Sequence, residues 1–259
     1  MPAQPTPARR ARRYLAEVAR DETAIRASQQ LRYRVFAGEM GARLHTRIAG
    51  LDYDEIDDYC DHLLVREFDT GHIVACTRLL ADHQAAKLGR YYSESEFELG
   101  GVLTLPGRFL EIGRTCVDPD HRGSVVLSTL WSGLAEYIGL GGFNYLMGCA
   151  SITPGPHGFA VDAIYRQIEP SQLGPKEFAV RPKHPVPLWK RCQQDESGIP
   201  PLLQAYLRLG AQILGEPCWD EDFNCMDVFI LLNLSCMQDR YEKRYLSAKA
   251  TDATTATLA

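Results

Sequence analysis

Apolar and polar positions along the chain follow both helical and strand-like spacing, which predicts an α/β protein. In residues 11–40 the apolar side chains recur three or four positions apart, a pattern that predicts one or two amphipathic helices. Residues 62–67 and 71–80 are two β-type runs on either side of a turn sequence, which predicts a hairpin. The remaining predicted elements are strands at 109–117, 145–152 and 227–234 and helices at 125–138 and 202–210.

The order of these elements predicts one layered domain over residues 11–248, with helices packed on a mixed sheet. Residues 1–10 and 249–259 hold no periodic apolar pattern and are predicted to be disordered. A proline-rich stretch near residues 169–201 interrupts the regular pattern. We predict a long irregular insertion there, and insertions of this kind are often functional.

Composition and charge exclude several classes of protein. The chain has 259 residues, 45% of them hydrophobic, and its apolar runs are shorter than the roughly 20 residues of a membrane-spanning helix. No apolar stretch follows the N-terminal arginines, so a secretory signal is not predicted. The eight cysteines include no CxxC pair, which indicates reduced thiols and a cytoplasmic location. A formal net charge of -5 argues against nucleic-acid binding as the main task.

Charge is distributed unevenly along the chain. Five arginines within the first 20 residues make the N-terminal region basic, and six acidic residues cluster between positions 52 and 61. A basic arm suits an acidic carrier protein or the anionic headgroups of a membrane surface. A solvated helix face beside a frayed terminus is the alternative interpretation.

A stretch in the middle of the chain carries the strongest candidate chemistry. A strand with two charged residues, Glu111 and Arg114, leads through a tight turn to the N-terminus of a long helix. Free backbone N–H groups and a partial positive charge make such a terminus suitable for the phosphate of a phosphopantetheine arm. His121, Arg122 and Gly123 are positioned to shape that site. A plain strand-to-helix connection is the alternative.

The spacing of the two charged residues suggests a distortion of their strand. Glu111 and Arg114 are three positions apart, so a regular strand would point their side chains to opposite faces. Gly113 lies between them at a position suited to a β-bulge, which would bring both side chains into one cleft. A strand pair opened at such a bulge leaves a backbone N–H free to polarise an acyl carbonyl group. A buried ion pair inside the sheet is the alternative.

Several sequence blocks are informative when taken together and in order. The blocks are LRYRVF (31–36) followed by EMGA (39–42), DDYCDHLLV (57–65), VACTRLL (74–80), GRYYSESEFEL (89–99), EIGRTCV (111–117), GCASI (148–152) and PPLLQAYLRLGAQILGEP (200–217). Together they resemble the L-ornithine N-alpha-acyltransferases of ornithine lipid biosynthesis, over roughly residues 28–245. That family is similar to acyl-homoserine-lactone synthases and belongs to the GNAT superfamily.

The resemblance implies a GNAT-like acyltransferase fold, with a central mixed, mostly antiparallel sheet flanked by helices. It implies transfer of a (3-hydroxy)fatty acyl group from acyl-carrier protein to the α-amino group of L-ornithine, the first step of ornithine lipid biosynthesis. The donor is then a phosphopantetheine thioester, and no separate cofactor is expected. The acetyl-CoA loop usual in GNAT enzymes, Q/R-x-x-G-x-G/A, is not kept, because the chain reads RGSVVL from Arg122. This departure favours the carrier-protein thioester.

Three residues are predicted to act in catalysis, namely Glu111, Arg114 and Ser151. Glu111 is the candidate general base, which takes a proton from the acceptor's ammonium directly or through a water. Its pKa is raised by burial and lowered by Arg114, and the sequence leaves that balance open. Ser151 is a candidate for a contact to the pantetheine or for proton return to the leaving thiol. Cys116 and Cys149 lie in apolar strand patterns, which disfavours a covalent route.

The candidate substrate-binding residues are all charged. The predicted set is Arg32, Glu39, Asp58, Asp61 and Arg78. The two arginines of this set, and Arg114 with them, are alternative partners for the acceptor's carboxylate. The two aspartates are alternative partners for a side-chain ammonium such as that of ornithine. For each of these residues a surface or structural charge is the alternative.

Other functions remain open at this point. A metal site at Cys60, Asp61 and His62 is not predicted, because adjacent residues on a strand diverge and no zinc-like ligand spacing follows. An enzyme of the same fold with glycine, lysine, glutamine or a homoserine-lactone precursor as acceptor is one alternative. A non-catalytic acyl-chain or lipid-binding sensor is another, against which Glu111 and Arg114 argue. Peripheral contact with the cytoplasmic membrane face is predicted from the amphiphilic product and the basic arm.

Overall fold

An eight-stranded sheet organises the part of the chain that this computed structural model describes, residues 13–192 and 198–236. The strands of the described part are β1 (Tyr14–Val18), β2 (Asp61–Glu67), β3 (Ile73–Ala81), β4 (Phe97–Glu98), β5 (Phe109–Val117), β6 (Tyr145–Ile152), β7 (Arg181–Pro182), β8 (Gln212–Ile213), β9 (Cys218–Asp220) and β10 (Cys225–Asn233). Its α-helices are α1 (Glu22–Tyr33), α2 (Asp82–Leu88), α3 (Ser124–Gly141), α4 (Val161–Gln167) and α5 (Pro201–Leu209).

The strand order of the sheet is β1-β2-β3-β5-β6-β10-β8, and β9 pairs with β10 as well. Neighbouring strands are antiparallel except for β5 and β6, which are parallel because α3 returns the chain to the same end of the sheet. β4 and β7 form a small separate pair. The predicted α/β class, with a mixed and mostly antiparallel sheet flanked by helices, is confirmed.

The two faces of the sheet are covered differently. Helices α3, α4 and α5 cover one face, with side chains such as Leu130 and Ile164 buried against the strands. The other face is covered in two parts. Helix α1 and the π-helical turn Arg34–Glu39 pack Leu31 over one part, and the loop around Phe97 packs over the other. A group of charged residues lies between these two covers.

The N-terminal prediction of a helix over residues 11–40 is wrong in its first part. Residues 14–18 form the edge strand β1, which pairs antiparallel with β2. Tyr14, Ala16 and Val18 pack against the core, a period of two that is masked by the longer apolar pattern. The helix begins after Asp21, whose carboxylate accepts a backbone N–H of the first turn at 2.8 Å.

The other predicted elements are confirmed, namely the β2–β3 hairpin, strands β5, β6 and β10, and helices α3 and α5. Helices α2 and α4 were not predicted, because seven residues are too few to establish a helical period. The insertion near 169–201 consists of short turns and irregular chain where it is described, whereas both predicted disordered tails lie outside the described residues. Within residues 13–192 and 198–236, none of the helices has the length and apolarity needed to cross a bilayer.

Candidate functional site

The parallel strand pair opens into a cleft near the middle of the sheet. β5 and β6 pair through three residue pairs, the last being Glu111 with Met147, and both strands then continue without pairing to each other. Beyond that point β3 remains paired with β5, and β10 remains paired with β6. The sheet therefore splits into a V-shaped opening whose root lies at Glu111.

Gly148 allows the two strands to approach closely at the root of the cleft. A Cβ atom at this position would lie 2.4 Å from the carbonyl oxygen of Ile112. We expect Gly148→Ala to destabilise the fold by about 1–3 kcal/mol, because the backbone must shift to relieve that clash. Urea denaturation followed by circular dichroism measures the change. The matched control is Gly113→Ala, whose Cβ meets no atom within 4 Å, and equal stability of the two variants would contradict the close approach.

A β-bulge in β5 brings Arg114 to the same face as Glu111. The register with β3 shifts between the pairs Cys76–Cys116 and Arg78–Gly113, so that one residue of β3 faces two of β5. Arg114 has the left-handed backbone conformation at this point, with φ 51°. The predicted bulge is confirmed, although the residue with positive φ is the arginine and not the glycine before it.

Glu111 is buried at the root of the cleft, with 2% of its surface exposed. Its carboxylate accepts hydrogen bonds from the backbone N–H of Tyr92 at 2.6 Å, from the backbone N–H of Ser93 at 2.7 Å, and from the Ser93 hydroxyl. Burial raises the pKa of Glu111, and the bonds from Ser93 and Tyr92 oppose that rise. Glu111 therefore anchors the turn at residues 92–95 and also presents a carboxylate made more basic by burial.

Arg114 lies on the cleft side of β5 beside Tyr92. Its Nη1 donates to the Tyr92 hydroxyl at 3.2 Å, and its guanidinium lies 5.0 Å from the centre of the Tyr92 ring and 4.7 Å from that of Phe223. Arg114 also forms long ion pairs, with its buried Nε 3.5 Å from an oxygen of Asp52 and its Nη2 4.0 Å from an oxygen of Asp54. The Nε makes no hydrogen bond. Arg114 therefore retains hydrogen-bonding capacity for a ligand.

Arg32 and Arg78 are already occupied by aspartates. Arg32, which is 1% exposed, donates to Asp52 at 2.8 Å and to the two oxygens of Asp57 at 2.7 and 2.9 Å. Arg78 donates to Asp54 at 2.7 Å and to Asp57 at 3.3 Å. This ion network ties α1 and β3 to the loop that carries the aspartates. The structure thus places both arginines, predicted to bind substrate, inside a structural network.

Comparison with known proteins identifies the family. A family model described as an acetyltransferase (GNAT) domain matches residues 31–132. The chain is 35% identical over 251 residues to the L-ornithine N(alpha)-acyltransferase of Rhodobacter capsulatus, a match that covers 90% of this chain and 94% of that protein. The chain belongs to the L-ornithine N(alpha)-acyltransferase family. The protein of the same name from Brucella abortus matches at 35% identity over 88% of this chain and 87% of its own length.

Solved structures agree with the fold of this family member. The CoA-dependent acyl-homoserine lactone synthase BjaI, solved with SAM and isopentyl-CoA, matches with a TM-score of 0.54 at 15% identity. The match covers 91% of this chain and 90% of that one. Likeness at such low identity bears on the fold alone. The GNAT-like acyltransferase fold expected from the sequence is confirmed.

In this L-ornithine N(alpha)-acyltransferase family member, the predicted phosphopantetheine-binding residues lie at the start of α3. Gly123 precedes the first turn, and no side chain caps that turn, so its backbone N–H groups are available. Arg122 donates to both carboxylate oxygens of Glu39, at 2.6 and 2.5 Å, on the exposed surface. His121 faces Asp118 at 3.4 Å. A phosphate at this position would find free amides at once, whereas Arg122 would have to release Glu39 first.

The two aspartates predicted to bind a side-chain ammonium do not join the cleft residues. Asp58 is exposed and accepts a hydrogen bond from the Tyr53 hydroxyl at 3.0 Å. Asp61 is also exposed and accepts from Tyr137 of α3 at 2.6 Å. Because α3 covers the face of the sheet opposite to Glu111, Asp61 is on the wrong side for a ligand in the cleft. The structure therefore places Asp61 away from the cleft and Asp58 on the exposed surface.

Ser151 lies near the open end of the cleft, on β6, directly across from Asp227 of β10. Its side chain is exposed, and its proximity to Asp227 lowers the pKa of that carboxyl, against the effect of burial. Asp227 itself is 3% exposed, and its Oδ1 has no hydrogen-bond partner. The position of Ser151 is compatible with the predicted contact to a ligand.

Sequence reasoning did not single out three residues around the cleft, which are Ser93, Glu96 and Asp227. A signal existed for Asp227, because an acidic residue inside the apolar run CMDVFILL is costly to bury without a purpose. Glu96 and Ser93 belong to the block GRYYSESEFEL, whose many polar residues resemble an exposed turn. Only the fold shows that this block lies over the cleft.

The cysteines near the cleft hold their protons. Burial, and then the charges of Glu96 and Asp227, raise the pKa of Cys149 well above that of a free thiol, and its Sγ lies 3.4 Å from the Ser93 hydroxyl. Cys225, together with Asp220 and Asp227, forms a group of possible metal ligands whose atoms lie within 4.8 Å of one another. Burial raises the pKa of Cys225 as well, so a metal ion there would have to displace its proton.

Proposed function

We propose that the protein transfers a fatty acyl group from a thioester to the α-amino group of L-ornithine. The observation that carries this proposal is the match over 90% of the chain to a protein named for that reaction. The cleft supports it, because two diverging strands offer free backbone groups beside a buried carboxylate, Glu111, and a cation, Arg114. A cleft of this kind suits an amide-forming acyl transfer.

In the proposed reaction the acyl carbonyl lies against the unpaired strand edges, where backbone N–H groups stabilise the developing oxyanion. Glu111 takes a proton from the acceptor's ammonium, directly or through a water, and the neutral amine attacks the carbonyl carbon. The C–N bond forms, the C–S bond breaks, and the second amine proton passes to the departing thiolate. Burial increases the basicity of Glu111 and so favours the first of these proton transfers.

The proposed transfer is direct, without an acyl-enzyme intermediate. A cysteine nucleophile must be ionised to attack a thioester efficiently. The raised pKa values of Cys149 and Cys116, caused chiefly by burial of Cys149 and by the contact of Cys116 with Cys76, keep both thiols protonated. These values support the direct route.

Arg114 is the proposed partner of the acceptor's carboxylate. Of the three arginines considered from the sequence, Arg32 and Arg78 donate short hydrogen bonds to aspartates. Arg114 lies 3.5 Å and 4.0 Å from its two aspartates, and its Nε makes no hydrogen bond. A planar guanidinium binds a carboxylate through two parallel hydrogen bonds. Arg114 also lies on the same face as Glu111, which would bring the bound amino group toward the base.

The proposed donor is a (3-hydroxy)acyl-carrier protein, and its phosphopantetheine thioester is the only prosthetic group invoked. The uncapped start of α3 supports a phosphate contact at Gly123, and the sequence RGSVVL lacks the later glycines of an acetyl-CoA loop. The reaction is then the first step of ornithine lipid biosynthesis. We propose that it takes place in the cytoplasm with peripheral contact at the membrane face. The candidates for this contact are the arginines of the first 20 residues, of which Arg9, Arg10 and Arg12 lie outside the described residues.

A single-turnover assay with 3-hydroxyacyl-carrier protein and L-ornithine tests the proposal. We expect free carrier thiol and N-acyl-ornithine to form at the same rate, measured with a thiol reagent and by mass spectrometry. Glycine, lysine and glutamine in separate incubations serve as matched acceptors, and acyl-CoA serves as the alternative donor. Thiol release without an ornithine product would contradict the proposal, and no release with any acceptor would favour a binding protein.

A further inference from the structure

Two buried carboxyl groups beside the cleft have oxygens that accept no hydrogen bond. Glu96 follows the turn at residues 92–95 and is 8% exposed, and Asp227 lies on β10 and is 3% exposed. Both oxygens of Glu96 and the Oδ1 of Asp227 are buried without a hydrogen-bond donor. Neither residue takes part in an ion pair within residues 13–192 and 198–236. Such groups are rare in folded proteins, because a buried polar atom without a hydrogen bond is destabilising.

The two carboxyl groups are close enough to influence each other's pKa. Burial, and then the charge of Asp227, raise the pKa of Glu96 well above that of an exposed carboxyl. Burial also raises the pKa of Asp227, the nearby Ser151 opposes that rise, and the charge of Asp220 adds to it. Without a cation nearby, two such carboxyl groups share a proton. A cation bound between them favours the ionised form of both.

The pair belongs to the same cleft as Glu111 and Arg114. Tyr92 links the two ends, because its hydroxyl accepts from Arg114 and interacts with the carboxylate of Glu96. Cys149 lies between them on β6, in contact with Ser93 on one side and influenced by Glu96 and Asp227 on the other. The cleft therefore has a cationic end at Arg114 and an anionic end at Glu96 and Asp227.

This charge distribution matches an amino acid that carries a second amine. An ammonium group has three N–H donors, and the pair offers three buried oxygens without donors. We propose that Glu96 and Asp227 bind the side-chain ammonium of the acceptor and so select a diamino acid. The inference rests on the proposed function and names the residues that give it its acceptor specificity. It differs from the assignment to Asp58 or Asp61 that the sequence predicts.

Comparing L-ornithine with L-norvaline isolates this contact. Norvaline has the same carbon chain and α-amino group as ornithine but lacks the side-chain amine. We expect Glu96→Gln and Asp227→Asn each to lower kcat/KM for ornithine by about 10- to 100-fold, mainly through KM, because one charged hydrogen bond is lost. The rate with norvaline should remain at the parent's level or rise. Glu98→Gln, two positions away and exposed, is the matched control and should change neither rate.

Two results would overturn the inference. One is an unchanged kcat/KM for ornithine in both variants. The other is an equal loss with ornithine and norvaline, which would indicate a structural role for the pair.

Thermal unfolding with the amino acid alone separates this inference from the proposed reaction. We expect L-ornithine to raise the Tm of the parent protein and to raise it less in Glu96→Gln, while norvaline has little effect on either. If the parent transfers no acyl group to ornithine but still shows this pattern, the proposed reaction is refuted and the proposed ammonium site is supported. If ornithine stabilises parent and variant equally, the ammonium site is refuted whatever the reaction proves to be.

Discussion

Glu111→Gln is expected to lower kcat by about a hundredfold to ten-thousandfold, the range that general-base catalysis supplies. Glutamine keeps the shape of the side chain but cannot accept the ammonium proton. It also loses one of the two oxygens that hold the turn at Tyr92 and Ser93. Single-turnover acyl transfer, with circular dichroism as the check on folding, measures the effect.

The pH profile of a second variant, Ser93→Ala, separates catalysis by Glu111 from anchoring. The Ser93 hydroxyl donates to the Glu111 carboxylate and so favours its ionised form. Removing that bond raises the pKa further, and a base with a higher pKa loses activity at a higher pH as the solution is acidified. We therefore expect the acidic limb of kcat/KM to move to higher pH in Ser93→Ala and to disappear in Glu111→Gln. A limb that stays in place in both variants would show that Glu111 is only an anchor.

Arg32→Met is expected to destabilise the protein by about 3–5 kcal/mol, the cost of breaking a buried ion pair from one side. The substitution leaves the carboxylates of Asp52 and Asp57 buried without the guanidinium that holds them. Urea denaturation measures the change in the free energy of unfolding. Arg34→Met is the matched control, because Arg34 is 58% exposed and lies 3.5 Å from its partner, so its loss should cost less than about 0.5 kcal/mol.

A direct role of Arg32 in binding the acceptor would give a different result. In that case Arg32→Met would retain most of its stability and show a raised KM for ornithine. A loss of less than about 1 kcal/mol would contradict the structural role assigned by the geometry.

Strong local patterns explain which elements could be predicted from the sequence. The β2–β3 hairpin and strands β5 and β6 have long β-type runs, and α3 has an extended apolar pattern after a turn. The bulge at Arg114 was also predictable, since charges at positions 111 and 114 reach one cleft only if the strand is distorted. These inferences depend on neighbours in the chain and not on how the chain folds back on itself.

The residues that were misjudged depend on distant contacts. The sequence around Arg32 is the same whether the arginine binds a substrate or another part of the chain. Its structural role is visible only from its contacts with Asp52 and Asp57, which lie 20 and 25 positions away. Asp61 lies at the end of an acidic cluster in the sequence, yet the pairing of β2 in the sheet directs its side chain towards α3. Glu96 and Asp227 are 131 positions apart, and no local pattern brings them together.

The parallel junction between β5 and β6 divides the sheet into two halves, each continuous in sequence. Strands β1, β2, β3 and β5 come from residues 14–117, and strands β6, β8, β9 and β10 come from residues 145–233. Three residue pairs join the halves along the sheet. Arg114 lies on β5 in the first half and Asp227 on β10 in the second, so an amino acid bound as proposed would bridge the two halves. Binding of the acceptor would then stabilise the junction between the halves as well as the site itself.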